Sequence, residues 1–277
     1  MSFGDLTRIN TNLQAITSLN ALQRVNSQIG IRQLRLATGS QINRAEDDSA
    51  GYTIAKKLQA RVRGQEKALQ NIGDAKSMLT VAEGSLNSIM DILQNMKEKS
   101  VQAANDTLGT DERTAIQNEL HALSAEIGDI LDGTTFNGTS LFSTGTTSLT
   151  FQVNSEDGDT FVATIATTTV DGMGVSTGAL TVGSAASAGA TLSAVGDAIN
   201  DVAAKLASIG DSQKRLTFKQ ENLTVSMNNY EAARSRIEDA DFAKEQMEII
   251  KLQILQQTGT AALAQANMGP QSILSLF

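Results

Sequence analysis

Cysteine is absent from this 277-residue chain, which excludes disulfides, thiolate nucleophiles and cysteine-based metal sites. Proline occurs once, at Pro270, so residues 1 to 269 carry no proline helix breaker and permit helices longer than the usual three or four turns. Tryptophan is missing and aromatics make up only 4% of the chain, so a core must come from Leu, Ile, Val, Met and Ala, which favours packed helices. Positive charge is in deficit: a net charge of -8 argues against a general nucleic-acid binder, which needs surplus Lys and Arg to neutralise phosphates. No run of about 18 apolar residues is present, so no membrane insertion is expected. The opening "MSFGDLTRINTNLQAITSLN" lacks the charged-then-apolar pattern and small-residue cleavage site of a signal peptide, which predicts no cleaved secretory route.

With 40% apolar residues, the chain has enough material for a core in one large domain or two small ones. Alternating steps of three and four from Ile72 reach Ala75, Leu79, Ala82, Leu86, Ile89, Leu93, Met96, Ser100 and Ala103, a narrow coiled-coil seam. A second seam runs from Leu192 through Val195, Ile199, Val202, Leu206, Ile209, Gln213, Leu216, Gln220, Leu223, Met227, Tyr230 and Arg234 to Ile237. As one helix it would extend roughly 69 Å at about 1.5 Å per residue. Ile9, Leu13, Ile16, Leu19, Leu22, Val25 and Ile29 mark a further helix, whose successive three-residue steps would overwind a supercoil. The pattern breaks at Gly39 and Ser40, after which Asn43, Asp47 or Asp48 is placed to cap the next helix. A shorter helix is predicted from Asp111, with acids in its first turn and "NDTLGT" as the preceding turn.

From about residue 134 to 191 the composition shifts to Thr, Ser, Gly and Ala. Within it "LTFQV" and "FVATI" alternate around "NSEDGD", which reads as a hairpin turning at Asp157 and Gly158, the rest forming a modest surface lobe or loop. With this insert as a pivot, the two long seams must meet antiparallel or lie in one bundle, and both chain ends return to the same side. The predicted fold is therefore mainly α: a long antiparallel helical bundle or coiled-coil rod with a small β-hairpin insert.

The last twenty-six residues, "LQILQQTGTAALAQANMGPQSILSLF", carry no charged side chain. Ile250, Ile254, Ala261, Leu263, Ile273, Leu274 and Leu276 are interspersed with Gln253, Gln256, Gln257 and Gln265, too polar for lipid yet poorly suited to an isolated solvated helix. Such a segment calls for protein on several sides. One N-terminal helix alone gives too little core.

The segments "INTNLQAITSLNALQ", "LATGSQINRAEDDSAGYTIAKKLQARVRG", "FNGTSLF" and "SRIEDADFAKEQMEIIKLQILQQTGTAALAQANMGPQSILSLF" together resemble bacterial flagellin. The resemblance implies that residues 1–44 and 238–277 are terminal helices of an inner filament tube, and that residues 45–237 form a helical rod domain with a small insert at 138–190. It implies a structural subunit that self-assembles into the extracellular flagellar filament for motility, exported without cleavage. Partners would be other copies of the chain, an export chaperone for the C-terminal segment, and the filament cap and hook-junction proteins. Assembly would fall to Ile9, Leu13, Ile16, Leu22, Asn43, Arg44, Asp47, Asp48, Ile250, Ile254, Leu263, Leu274 and Leu276. The alternatives are a flagellar hook-filament junction protein, whose C-terminal end usually resembles this one less closely, and a surface adhesin displayed on a coiled coil.

Many flagellins are also recognised by a Toll-like innate immune receptor through a rod motif. The corresponding patch here includes Leu93, Gln94, Lys97, Glu98 and Gln102, with Asn95 where the motif has its first arginine and Lys99 where it has leucine. Loss of a forked cation implies weakened recognition.

No enzyme is predicted and no cofactor is required. His121 is the sole histidine, so neither a zinc motif nor a serine-histidine pair away from it can form. Neither a phosphate loop nor "GxGxxG" is present. The acid clusters Glu46-Asp47-Asp48 and Glu238-Asp239-Asp241 read as helix starts. Ser and Thr of the insert are candidate O-glycosylation positions by resemblance.

Overall fold

The computed structural model describes residues 11–142 and 147–274, the last six of these by backbone alone. Five helices occur in them: α1 (Leu13–Thr38), α2 (Ser49–Ala103), α3 (Thr110–Gly133), α4 (Ala185–Glu238) and α5 (Phe242–Leu274). Two small antiparallel hairpins join α3 to α4: β1 (Thr135–Phe136) with β2 (Thr139–Ser140), and β3 (Thr147–Gln152) with β4 (Thr160–Ile165). The predicted class, helical bundle with a hairpin insert, holds. The chain divides into two compact units, Met1–Ala60 with Asn229–Phe277, and Arg61–Asn228.

In the Arg61–Asn228 unit, all ten positions of the seam from Ile72 to Ala103 are buried. Ser100 is tolerated there because its hydroxyl donates to the Met96 carbonyl at 2.8 Å, leaving no unpaired polar atom to desolvate. Facing it on α4 are Val195, Val202, Ile209, Leu216 and Leu223. The other predicted α4 positions differ near its start. Thr191 and Ala198 are fully buried, whereas Leu192 and Ile199 are half-buried. The buried stripe is rotated there by one residue. Gln65 to Ser226 (3.1 Å) and Gln213 to Glu83 (2.8 Å) fix the two helices antiparallel.

α3 begins one residue before Asp111 and carries Asp111 and Glu112 in its first turn. Its return against α2 depends on Arg113, which is 6% exposed. This guanidinium donates to the carbonyls of Ala103, Asn105 and Leu108, the orphan acceptors at the end of α2 and in the turn. Lys99 adds an ion pair to Glu119 at 2.7 Å.

The predicted β3–β4 hairpin is present, with Gly158 at φ +85°. The second hairpin overlaps "FNGTSLF", where Asn137 (φ +49°) and Gly138 (φ +78°) form a two-residue turn. The segment after β4 does more than cover the surface. Met173, Val175, Leu180 and Val182 enter the core, and their backbone is held by Ser124, Gln117 and His121 of α3. His121 Nε2 meets the Leu180 carbonyl at 3.0 Å, which gives the only histidine a structural place.

Candidate assembly surface

The unit containing both chain ends pairs α1 with α5. Asn12 caps α1 by accepting from the Ala15 N–H at 2.9 Å, while its amide donates to the Ala266 carbonyl at 2.8 Å. Gln256 donates to Asn26 at 2.7 Å, and Arg32 binds Glu245 at 2.7 Å. Partners that rise along α1 fall along α5, so the helices are antiparallel. At the end of α1, Gly39 adopts φ +71° and its N–H returns to the Arg35 carbonyl at 2.9 Å. Two backbone bonds, Gln41 N–H to Glu238 and Ala240 N–H to Gly39, then stitch the turn to the end of α4 and the link that leads into α5.

The junction loop resolves which acid does what. Asp48 caps α2 by accepting from the Ala50 and Gly51 N–H groups at 3.1 and 3.0 Å. Asp47 closes the loop by accepting from the Arg44 and Asn43 N–H groups at 2.9 and 3.0 Å. Those two backbone donors, Arg44 first, hold its carboxyl below the usual carboxylate range. Asn43 donates its amide to the Ser40 carbonyl at 2.8 Å. Arg44 reaches only exposed Glu46, at 3.1 Å, a pair of little energetic consequence.

α5 presents two different seams. Glu245, Ile249, Leu252, Gln256, Gly259, Leu263 and Ala266 face α1, Gly259 lying where an added Cβ would stand 3.4 Å from Leu22. One or two residues further round in alternation, about 160° away on the helix, Met247, Ile250, Ile254, Gln257, Ala261, Ala264 and Met268 are all exposed. Among the described residues, the large apolar side chains buried in the α1 and α5 pair are Ile29, Ile249 and Leu252. At roughly 2 kcal/mol each, they are far outnumbered by the apolar core of the other unit.

α1 is divided in the same way. Leu13, Ile16 and Leu19 point outward at 43%, 47% and 43% exposure, whereas Leu22 and Val25 are half-buried and Ile29 is buried. Successive three-residue steps carry the predicted run from one face of the helix to the other. Beside the junction loop, Ile31 and Leu34 line an open groove of about 490 Å³ with Arg35 and Asn43. Ile9 and Leu276 lie outside the described residues, as does the side chain of Leu274.

These helices offer apolar contact surface. Among the described residues no three acidic or histidine side chains are grouped to hold a metal ion, and no helix is long and apolar enough to cross a membrane.

Residues 9–147 match the bacterial flagellin N-terminal helical region, and residues 192–277 match the bacterial flagellin C-terminal helical region. The chain belongs to the bacterial flagellin family. It is 33% identical to flagellin FlaB1 of Treponema pallidum over 284 residues, covering 97% of this chain and 99% of that one. To the flagellin of Bacillus subtilis it is 35% identical over 304 residues, covering 98% and 99%. A solved structure assigned to a flagellar hook-associated protein of Vibrio parahaemolyticus shares the fold, with a TM-score of 0.58 at 16% identity, over 70% of this chain and 100% of that one. Flagellins are structural proteins that self-assemble into the extracellular flagellar filament, and this flagellin is a filament subunit. The junction-protein and adhesin alternatives are not favoured.

The residues of the predicted receptor patch are split by helix geometry. Leu93 is buried in the core, while Gln94, Lys97, Glu98 and Gln102 are exposed on α2. Sequence reasoning missed Asn12, Arg32, Arg35 and Glu245 as a set that ties α1 to α5. Their partners lie more than 200 residues apart, so no local pattern signals them.

Proposed function

We propose that residues 1–44 and 238–277 build the inner tube of the filament and that neighbouring copies cover the outward faces of α1 and α5. Residues 45–237 then form the surrounding helical layer. The observation that carries this reading is the second seam of α5, an uncharged helix face left in solvent although the opposite face already has its partner. Leu13 and Ile16 on α1, with Ile250 and Ile254 on α5, are the apolar contacts. Leu22 and Leu263 act from within the pair, and Asn43, Arg44, Asp47 and Asp48 hold the junction loop and the start of α2. Ile9, Leu274 and Leu276 are assigned to assembly with them.

The chain is exported through the flagellar channel. An export chaperone covers the C-terminal segment before assembly, and the cap and hook-junction proteins engage the same terminal helices at the filament ends. Recognition by a Toll-like receptor is weak, because Leu93 is withdrawn into the core and no arginine stands at position 95.

Ile254→Asp tests the reading. The side chain is exposed, so the monomer should keep its helicity, while burying a carboxylate between copies costs several kcal/mol. Filament growth from seeds, followed by electron microscopy, should stop. Growth at the original rate would overturn the assignment of this face.

A further inference from the structure

Of the eight methionines, Met78 and Met96 are fully buried and Met173 is 5% exposed. Met247 and Met268 are different: they are 65% and 58% exposed and stand at the two ends of the outer seam of α5. Between them the seam consists of Ile250, Ile254, Gln257, Ala261 and Ala264, with no charged group. A thioether suits such a face because it is flexible and polarizable and packs on irregular apolar surfaces. It is also the only group on that face that an oxidant converts readily, and the product is polar and chiral.

We propose that Met247 and Met268 are oxidation sites which block incorporation of the free subunit. The inference rests on the outer seam being covered by neighbouring copies. Hydrogen peroxide transfers one oxygen to the thioether: the S–O bond forms, the O–O bond breaks, sulfur loses two electrons and the peroxide leaves as water. The sulfoxide oxygen is then a strong acceptor on a surface whose other members are alkyl groups and amides. Covering it without a donor is unfavourable, so an oxidised subunit adds poorly to a filament end. Inside the filament the same sulfur atoms are covered and react slowly. The chemistry therefore acts on subunits before assembly and spares those already placed. Because methionine sulfoxide is enzymatically reducible, the block is reversible.

The test uses full-length monomer and preassembled filaments, each treated with hydrogen peroxide and then cleared of it with catalase. Peptide mass spectrometry should find Met247 and Met268 oxidised in the monomer well ahead of Met78, Met96 and Met173. Seeded elongation by that monomer should fall roughly tenfold, and methionine sulfoxide reductases should restore it. The Met247→Leu, Met268→Leu double variant should elongate equally before and after peroxide. If oxidised wild-type monomer elongates at the untreated rate, or if the double variant is equally sensitive, the proposal is overturned while the covered-seam reading stands. If both methionines oxidise in filaments as fast as in monomer, the covered-seam reading falls and takes the proposal with it.

Discussion

Replacing Glu245 by glutamine should loosen the pairing of α1 with α5 while leaving the Arg61–Asn228 unit intact. The Glu245 side chain is 5% exposed, and both its oxygens accept from Arg32 Nη1, at 2.7 and 2.9 Å. One also lies 3.5 Å from Arg35 Nη1, and the buried Arg35 Nε makes no hydrogen bond. Without the carboxylate, two guanidiniums face each other across a neutral amide. Breaking a fully buried pair costs about 3 to 5 kcal/mol. Arg32 and Arg35 retain 29% and 20% exposure, so water recovers part of that. The remainder is about 2 kcal/mol, or roughly thirtyfold in the local opening equilibrium. Hydrogen exchange on the full-length monomer should therefore quicken by about that factor across α1 and the first half of α5. Arg35→Met, which removes only the longer contact, should cost less. Unchanged exchange in both helices would refute the reasoning, and so would an equal loss of protection across α2, α3 and α4.

Two smaller perturbations probe the junction loop and the hairpin. The Asp47 carboxyl has a folded pKa below its unfolded value of about 3.9 because two backbone N–H groups hold the charged form. Its contribution is complete above the unfolded pKa and is lost as pH falls through the folded one. Exchange at the Asn43 and Arg44 amides should accordingly stay slow down to about pH 4 and accelerate below it, and Asp47→Asn should be fast at neutral pH as well. Gly64→Ala would place a Cβ 2.7 Å from the Cβ of Ser155, so the loop between β3 and β4 must move. Overpacking of this kind costs about 1 to 3 kcal/mol, which thermal unfolding of the monomer should register as a lowered midpoint.

How well each element could be read from sequence follows from how many neighbours surround it. The α2 seam is legible because one narrow stripe faces a single core, so a strict alternation of three and four lands every residue inside. The start of α4 is harder: the segment after β4 lies against it as well, Thr191 donating to the Thr181 carbonyl, and the buried stripe rotates onto Thr191 and Ala198. The β1–β2 hairpin carries the Asn-Gly signal that would have found it, at Asn137 and Gly138. Arg113 was hidden for a different reason. A buried cation satisfied by three carbonyls looks, in sequence, like any surface arginine in a first helical turn.

α5 explains why the terminal segment defeats an ordinary amphipathic reading. A helix with one partner shows one apolar stripe, and its remaining faces carry charge. α5 has two stripes on nearly opposite sides, so apolar and polar positions nearly cancel around its circumference. Charge survives only near its start, where Glu245 finds Arg32 and Arg35 and where Lys251 meets Glu248 at 3.6 Å. From Leu252 onward no cation or anion remains, and polar character is supplied by glutamines such as Gln256, whose amide is satisfied by the Asn26 side chain. Amides can be covered by a second protein surface at the cost of one hydrogen bond exchanged for another, whereas each charge would require its own buried counterion. Weak one-sided patterning combined with strict loss of charge is thus what the proposed covering of α5 on both faces calls for, whereas a frayed tail would have no reason to exclude Lys or Glu.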